Sequence, residues 1–136
     1  MADKTQVEVQ LIKNEEPVPP LDELIAGNKG AVYIDIIKIS TAGTFKRGTL
    51  LMLGKEDYVP STQAGIATAA GVCIICDDVT IGDNEFIETP AYFGGDFNDA
   101  RVILPYETEA DNHDALIEAI REPLRAKKIF LRKIHD

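Results

Sequence analysis

Six carboxylates in the middle of this chain, Asp77, Asp78, Asp83, Glu85, Asp96 and Asp99, are the densest set of side chains that could do chemistry. Clustered oxygens of this kind suit calcium. Their spacing does not follow the ligand positions of an EF-hand loop, so the expectation is an acidic, solvated loop and no metal site. Glycoside hydrolysis also uses two carboxylates, but at a separation that only a fold can set. Cys73 and Cys76 have the spacing of a redox pair or half a zinc site. A redox pair normally opens a helix, whose dipole lowers the thiol pKa. Here the run Ala70-Gly-Val-Cys-Ile-Ile-Cys is apolar and β-branched, and reads as a strand. Residues three apart on a strand face opposite sides, so the two sulfurs should diverge into the core. Zinc would need further ligands, and His113 and His135 are both far off in sequence. His113, beside Asp114 at a helix start, reads as exposed. Ser40 and Ser61 lack the Gly-x-Ser-x-Gly frame of a hydrolase nucleophile. No glycine loop of the phosphate- or dinucleotide-binding type is present. No catalytic residue, cofactor or metal is therefore assigned, and an enzyme is not expected.

The chain that must position these residues has 136 amino acids, the size of one domain. No apolar run approaches the ~18 residues of a membrane span. The N-terminus lacks a basic-then-apolar leader, so production without Sec-type export is expected, in a reducing compartment suited to free cysteines. A formal net charge of −9 repels phosphates, which argues against nucleic acid as a partner. The charge is also unevenly placed. Glu56 to Ala100 holds nine carboxylates and no Lys or Arg, whereas Arg121 to Asp136 holds six basic side chains against two acidic ones. Such surfaces could meet across a subunit interface, or simply be a solvated acidic face and a basic helix end.

Residues 1–30 read as an arm and linker, and 31–136 as the domain. In the arm, Val7, Val9 and Leu11 alternate with polar residues, a short strand pattern. Asn14-Glu-Glu-Pro-Val-Pro-Pro then favours an extended, polyproline-like path. Leu21 to Gly27 fits one or two helical turns. The arm either orders against a partner or pairs within its own domain. In the domain, Ala31 to Ile39 is a β-rich run. Phe45, Leu50, Leu51 and Leu53 look like core, with Lys46 and Arg47 reaching water. Tyr58-Val-Pro60 suits a strand end. Ser61 to Gly65 reads as a loop, Val72 to Cys76 as a central strand, and Asp77 to Glu85 as an acidic loop. Strand resumes at Phe86 to Glu88 and Pro90 to Phe93, and Gly94-Gly95 interrupts it with a bulge or a close backbone approach. A helix starts with Asp111 as N-cap and carries Ala115, Leu116, Ala119 and Ile120 on one stripe. It stops near Arg121, or a new turn begins at Pro123. Lys128 to Arg132 returns as a strand.

Taken in order, several segments resemble the lambda-type head decoration proteins of tailed bacteriophages. Leu24-Ile-Ala-Gly resembles the short segment before their body, and Arg47-Gly-Thr-Leu-Leu resembles their Arg-Gly-Thr-x-Leu strand opening. Ala70-Gly-Val-Cys-Ile-Ile is similar to their Ala-Gly-Ile strand, and Tyr92-Phe-Gly-Gly-Asp-Phe-Asn to their Gly-x-Phe-Asn element. The closing helix and Lys-Ile-Phe-Leu resemble their last helix and strand. Each motif is weak alone; the shared order, from about Leu24 to Ile134, is the specific part. The linker Asn14 to Pro20 and Pro123 depart from the family pattern.

The resemblance implies an α+β, β-rich fold, a compact small β-barrel or sandwich-like domain with one main C-terminal helix and a flexible N-terminal arm. It implies a homotrimer on the outer surface of the virion capsid, made in the host cytoplasm. Its partner would be the major capsid protein at three-fold sites, bound after expansion and reinforcing the shell against DNA pressure. In that picture Val7, Val9 and Leu11 add a strand to a capsid edge. Two other classes remain open: a small β-barrel adaptor of a phage or host, and a carboxylate-based hydrolase.

Overall fold

The computed structural model describes residues 24–26, 32–108 and 112–133. Eight strands and two helices follow in chain order: β1 (Tyr33–Ile39), β2 (Gly43–Phe45), β3 (Leu50–Leu53), β4 (Tyr58–Pro60), α1 (Gln63–Thr68), β5 (Val72–Ile75), β6 (Val79–Ile81), β7 (Ile87–Asn98), α2 (His113–Ala126) and β8 (Ile129–Arg132). A 3-10 turn, Asp99–Arg101, follows β7. The main sheet has the order β1-β4-β3-β5-β7-β8, and β7 also pairs with β1. The sheet therefore curls toward a barrel. Its seam stays open, because β1 and β4 meet at one register pair, Ile39 with Tyr58. Strands β2 and β6 form a small second sheet. The fold is α+β and β-rich, with one main C-terminal helix.

Alternation along β5 explains how the layers pack. Cys73 and Ile75 point into one core with Ile37, Ile39, Leu51 and Ala91, inside the curl. Val72, Ile74 and Cys76 point the other way, into a second core. There they meet Ile66 of α1 and Ile117, Ile120 and Leu124 of α2. A strand buried on both faces must be apolar at every position, and β5 is. Each such side chain removed from water contributes roughly 1.5–3 kcal/mol. The cysteines do diverge into opposite cores, and both are free thiols.

Several expectations are corrected. Residues 63–65 of the expected loop open α1, because the Thr62 side chain caps it by accepting from the Gly65 N–H at 2.9 Å. Val79–Ile81, inside the expected acidic loop, is a strand whose two apolar residues are buried either side of exposed Thr80. β7 is not interrupted at Gly94-Gly95 but runs through to Asn98. The glycines allow close approach: a Cβ on Gly94 would lie 3.4 Å from the Lys128 carbonyl, and Gly95 has φ +140°. The bulge sits opposite, between Tyr33 and Ile34.

Helix α2 buries Ile117, Ile120 and Leu124, while Ala115 and Ala119 are exposed and Leu116 is half-buried. The large branched side chains set the buried face, and the alanines do not. The helix also continues through Pro123 to Ala126. Packing of Leu124 beyond the proline outweighs the ~3 kcal/mol a helix-interior proline costs. Asn112 occupies the N-cap position without a side-chain cap bond, and Asp111 lies outside the described residues. Within the segment expected to be helical before the domain, Leu24–Ala26 is extended. Leu24 and Ala26 exchange backbone hydrogen bonds with Asn98 and Asp96, and Leu24 is buried.

Candidate functional site

The six carboxylates do not converge. Asp99 is buried and paired with Arg121 at 3.2 Å. Asp96 faces Arg132 at 3.4 Å. Asp78 accepts from the Arg47 N–H, and Glu85 folds back onto the Gly82 N–H. Asp77 and Asp83 are exposed. Among the described residues no group of three or more His, Cys, Asp or Glu could hold a metal ion.

Two residues expected in water are instead tied into the fold. The Arg47 guanidinium donates to the Cys76 carbonyl at 3.0 Å and to the Tyr92 hydroxyl at 2.8 Å. His113 is half-buried at the start of α2. Its Nδ1 lies 2.7 Å from Glu107 Oε1 and its Nε2 2.8 Å from the Asp99 carbonyl. Both partners are acceptors, so both ring nitrogens must donate, which requires the imidazolium. Burial alone would lower the pKa of His113. The hydrogen bonds to Glu107 and Asp99 and the charges of Glu107 and Asp114 outweigh it and raise the pKa. A pocket of about 390 Å³ opens beside this histidine, walled by Ala100, Val102 and Leu104. With both nitrogens engaged, His113 has none left to act as a base on a bound molecule. The contact ties the 99–107 segment to α2. Nothing in the local sequence signals it, since Glu107 and Asp99 are six and fourteen residues away.

The cysteine thiols are equally unsuited to nucleophilic work. Burial pushes both Cys73 and Cys76 up from the ordinary thiol range, against the requirement for a thiolate.

The surface offers a different kind of site. On β1 the inward residues Ile37 and Ile39 are buried, while Ile34 and Ile36 are 58% and 59% exposed. These two share the sheet face on which Tyr92 packs into the helix-covered core. Over β3, β5 and the middle of β7 that face is roofed by α1 and α2; over β1 neither helix covers it, and Ile34 and Ile36 stay exposed. Phe86, 60% exposed, joins the patch through Lys38, whose Nζ sits 4.6 Å over its ring. Exposed Asp83 and Glu85 lie in the loop that leads into β7, and exposed Glu88 stands opposite Lys38 across β1 and β7. At the far end of β7, the turn before β8 carries Lys127 and Lys128, β8 ends on Arg132, and Lys133 follows it. The arm residues Val7, Val9 and Leu11 lie outside the described residues.

Compared with known proteins, the chain matches no family model and no curated sequence.

Proposed function

We propose that this chain is a non-enzymatic capsid decoration protein. It binds the outer surface of an expanded phage head as a trimer at three-fold sites and reinforces the shell against the pressure of packaged DNA. The observation that carries the reading is the run of short segments resembling the lambda-type decoration proteins. It is supported by where those segments fall: the Arg47-Gly-Thr-Leu-Leu motif leads into β3, the Ala70 segment forms β5, the Gly-Gly-Asp-Phe-Asn element ends β7, and the last segment is β8. These strands are consecutive neighbours in the main sheet. Motifs scattered along the chain thus build one structural unit rather than unrelated surface loops.

In this reading the contact is physical, not chemical. Val7, Val9 and Leu11 add a strand to an exposed edge of the major capsid protein, with backbone hydrogen bonds for affinity and alternate side chains for specificity. Three arms in one trimer convert weak single contacts into firm attachment through effective concentration. Preference for the expanded lattice stabilises that lattice by mass action. The test is a chain lacking residues 2–13. It should fold and associate as the full chain does, yet lose sedimentation with expanded heads. Undiminished binding by the truncated chain would overturn the role of the arm.

A further inference from the structure

Charge changes along a single ruler. β7 begins beside Glu88, runs along the apolar face of β1 with Ile36 opposite Pro90 and Ile34 opposite Tyr92, and ends beside β8, where basic residues collect. At ~3.3 Å per residue, Glu88 stands ~20 Å along the strand from Gly94, beside Lys128, and ~33 Å from Asn98, beside Arg132. These distances exceed the ~8 Å screening length of physiological salt. The acidic rim and the basic end therefore do not neutralise each other, and each has only a local partner: Lys38 stands opposite Glu88, and Arg132 meets Asp96 at 3.4 Å. Nor can the chain roof its own β1 face with α2, which is already packed over β5 and β7.

We propose that a second copy of this chain covers that face, docking its basic β8 end (Lys127, Lys128, Arg132 and Lys133) onto Ile34, Ile36 and Phe86 and their acidic rim, head to tail. The occupant is argued from charge complementarity: Asp83, Glu85 and Glu88 outnumber Lys38 at the rim, and at the other end of the same molecule Lys127, Lys128 and Lys133 add to the Asp96-paired Arg132. The apolar centre adds burial, since Ile34, Ile36 and Phe86 are each more than half exposed in the single chain. On the partner side, Phe130 is half-buried under the Arg132 guanidinium, 6.0 Å from its ring, an apolar and cationic pair suited to the patch. A contact between two different patches is heterologous, and it closes into a ring when the rotation it sets is a whole fraction of a turn, as the trimer of the proposed function requires. The inference rests on the self-association in the proposed function and names the surface that performs it.

Two variants test it, each altering one half of the contact at exposed positions. Ile36→Glu places a charge in the apolar centre. Lys128→Glu together with Lys133→Glu reverses the basic end. Light scattering over a dilution series of the full-length chain should show assembly at low salt that weakens at 1 M NaCl. Each variant should associate more than roughly tenfold more weakly, the loss typical of a central contact, with an unchanged circular dichroism spectrum. Mixed together, the two variants should form a one-to-one dimer and nothing larger, because each retains the half the other lacks. A symmetric contact between identical patches would not be rescued this way. A mixture that stays monomeric, or an Ile36→Glu chain that assembles normally, overturns the proposal. Head binding by the unaltered chain, measured in parallel, separates the two ideas. A monomer that binds heads sinks only the docking surface. An oligomer that assembles head to tail but ignores heads sinks only the decoration reading.

Discussion

His113 sits where a cation is normally unwelcome, in the first turn of a helix, whose dipole repels positive charge. It is held there by acceptors on both nitrogens, and the facing charged groups are Glu107 and Asp114, with Asp99 already paired to Arg121. The folded-state pKa is raised above the ordinary 6.5. Its contribution is therefore complete below the unfolded-state pKa and is lost as pH rises through the folded one. His113→Ala should destabilise by about 1–3 kcal/mol in acid, where a charged hydrogen bond to Glu107 is lost. The cost should shrink at pH ~9, where the neutral ring keeps only one donor. Denaturant melts at the two pH values would show it, and an equal cost at both would contradict an imidazolium. Arg121 is a second tie at this scale, joining Glu118, the Asp99 carboxylate and the Leu131 carbonyl. Neither side chain was legible as a tie in the sequence: only Glu118 lies within a helical turn of Arg121, while Glu107, Leu131 and Asp99 are six to twenty-two residues from the side chains they meet.

At the scale of elements, legibility followed the strength of the periodic signal. β5 was readable because Val72 to Cys76 is uninterrupted and β-branched. β1 and β8 carried similar short runs. β6 was hidden: Val79-Thr-Ile alternates correctly, but three residues among carboxylates look like a loop until β2 pairs with them. Gly94-Gly95 read as a break because glycine weakens strands. In the fold they let Tyr33 and the Lys128 carbonyl press against the backbone of β7. Gly95→Ala should therefore cost about 1–3 kcal/mol, since φ +140° is closed to alanine. Gly94→Ala, whose φ is ordinary and whose nearest neighbour is the exposed Tyr33 ring, should cost less. Thermal melting of the pair checks the order, and equal losses would argue against backbone strain at Gly95. In α2, the alanines drew the expected stripe roughly 100° off the true face, which is set by Ile117, Ile120 and Leu124. Leu124→Ala should lose about 2–5 kcal/mol, as buried leucines do. It would also remove the anchor that carries the helix past Pro123. A loss well under 1 kcal/mol would show that something else holds the last turn.

Across the whole molecule, the feature that orders the account is what the sheet leaves undone. One of its faces is filled from within and the other is roofed by helices, except over β1, where apolar side chains stay bare. The lopsided charge visible in the sequence becomes, in three dimensions, an acidic rim at one end of β7 and a basic strand at the other. None of the carboxylates that first suggested chemistry share a site among the described residues. The proposed function gives these surfaces a use, with copies covering one another and arms reaching a lattice. The most direct test of that claim is sedimentation of the purified chain with expanded and with unexpanded phage heads. Saturable binding to expanded heads, in threes per three-fold site and far weaker on unexpanded ones, is the predicted result. Absence of binding to expanded heads, or equal binding to both forms, would contradict it.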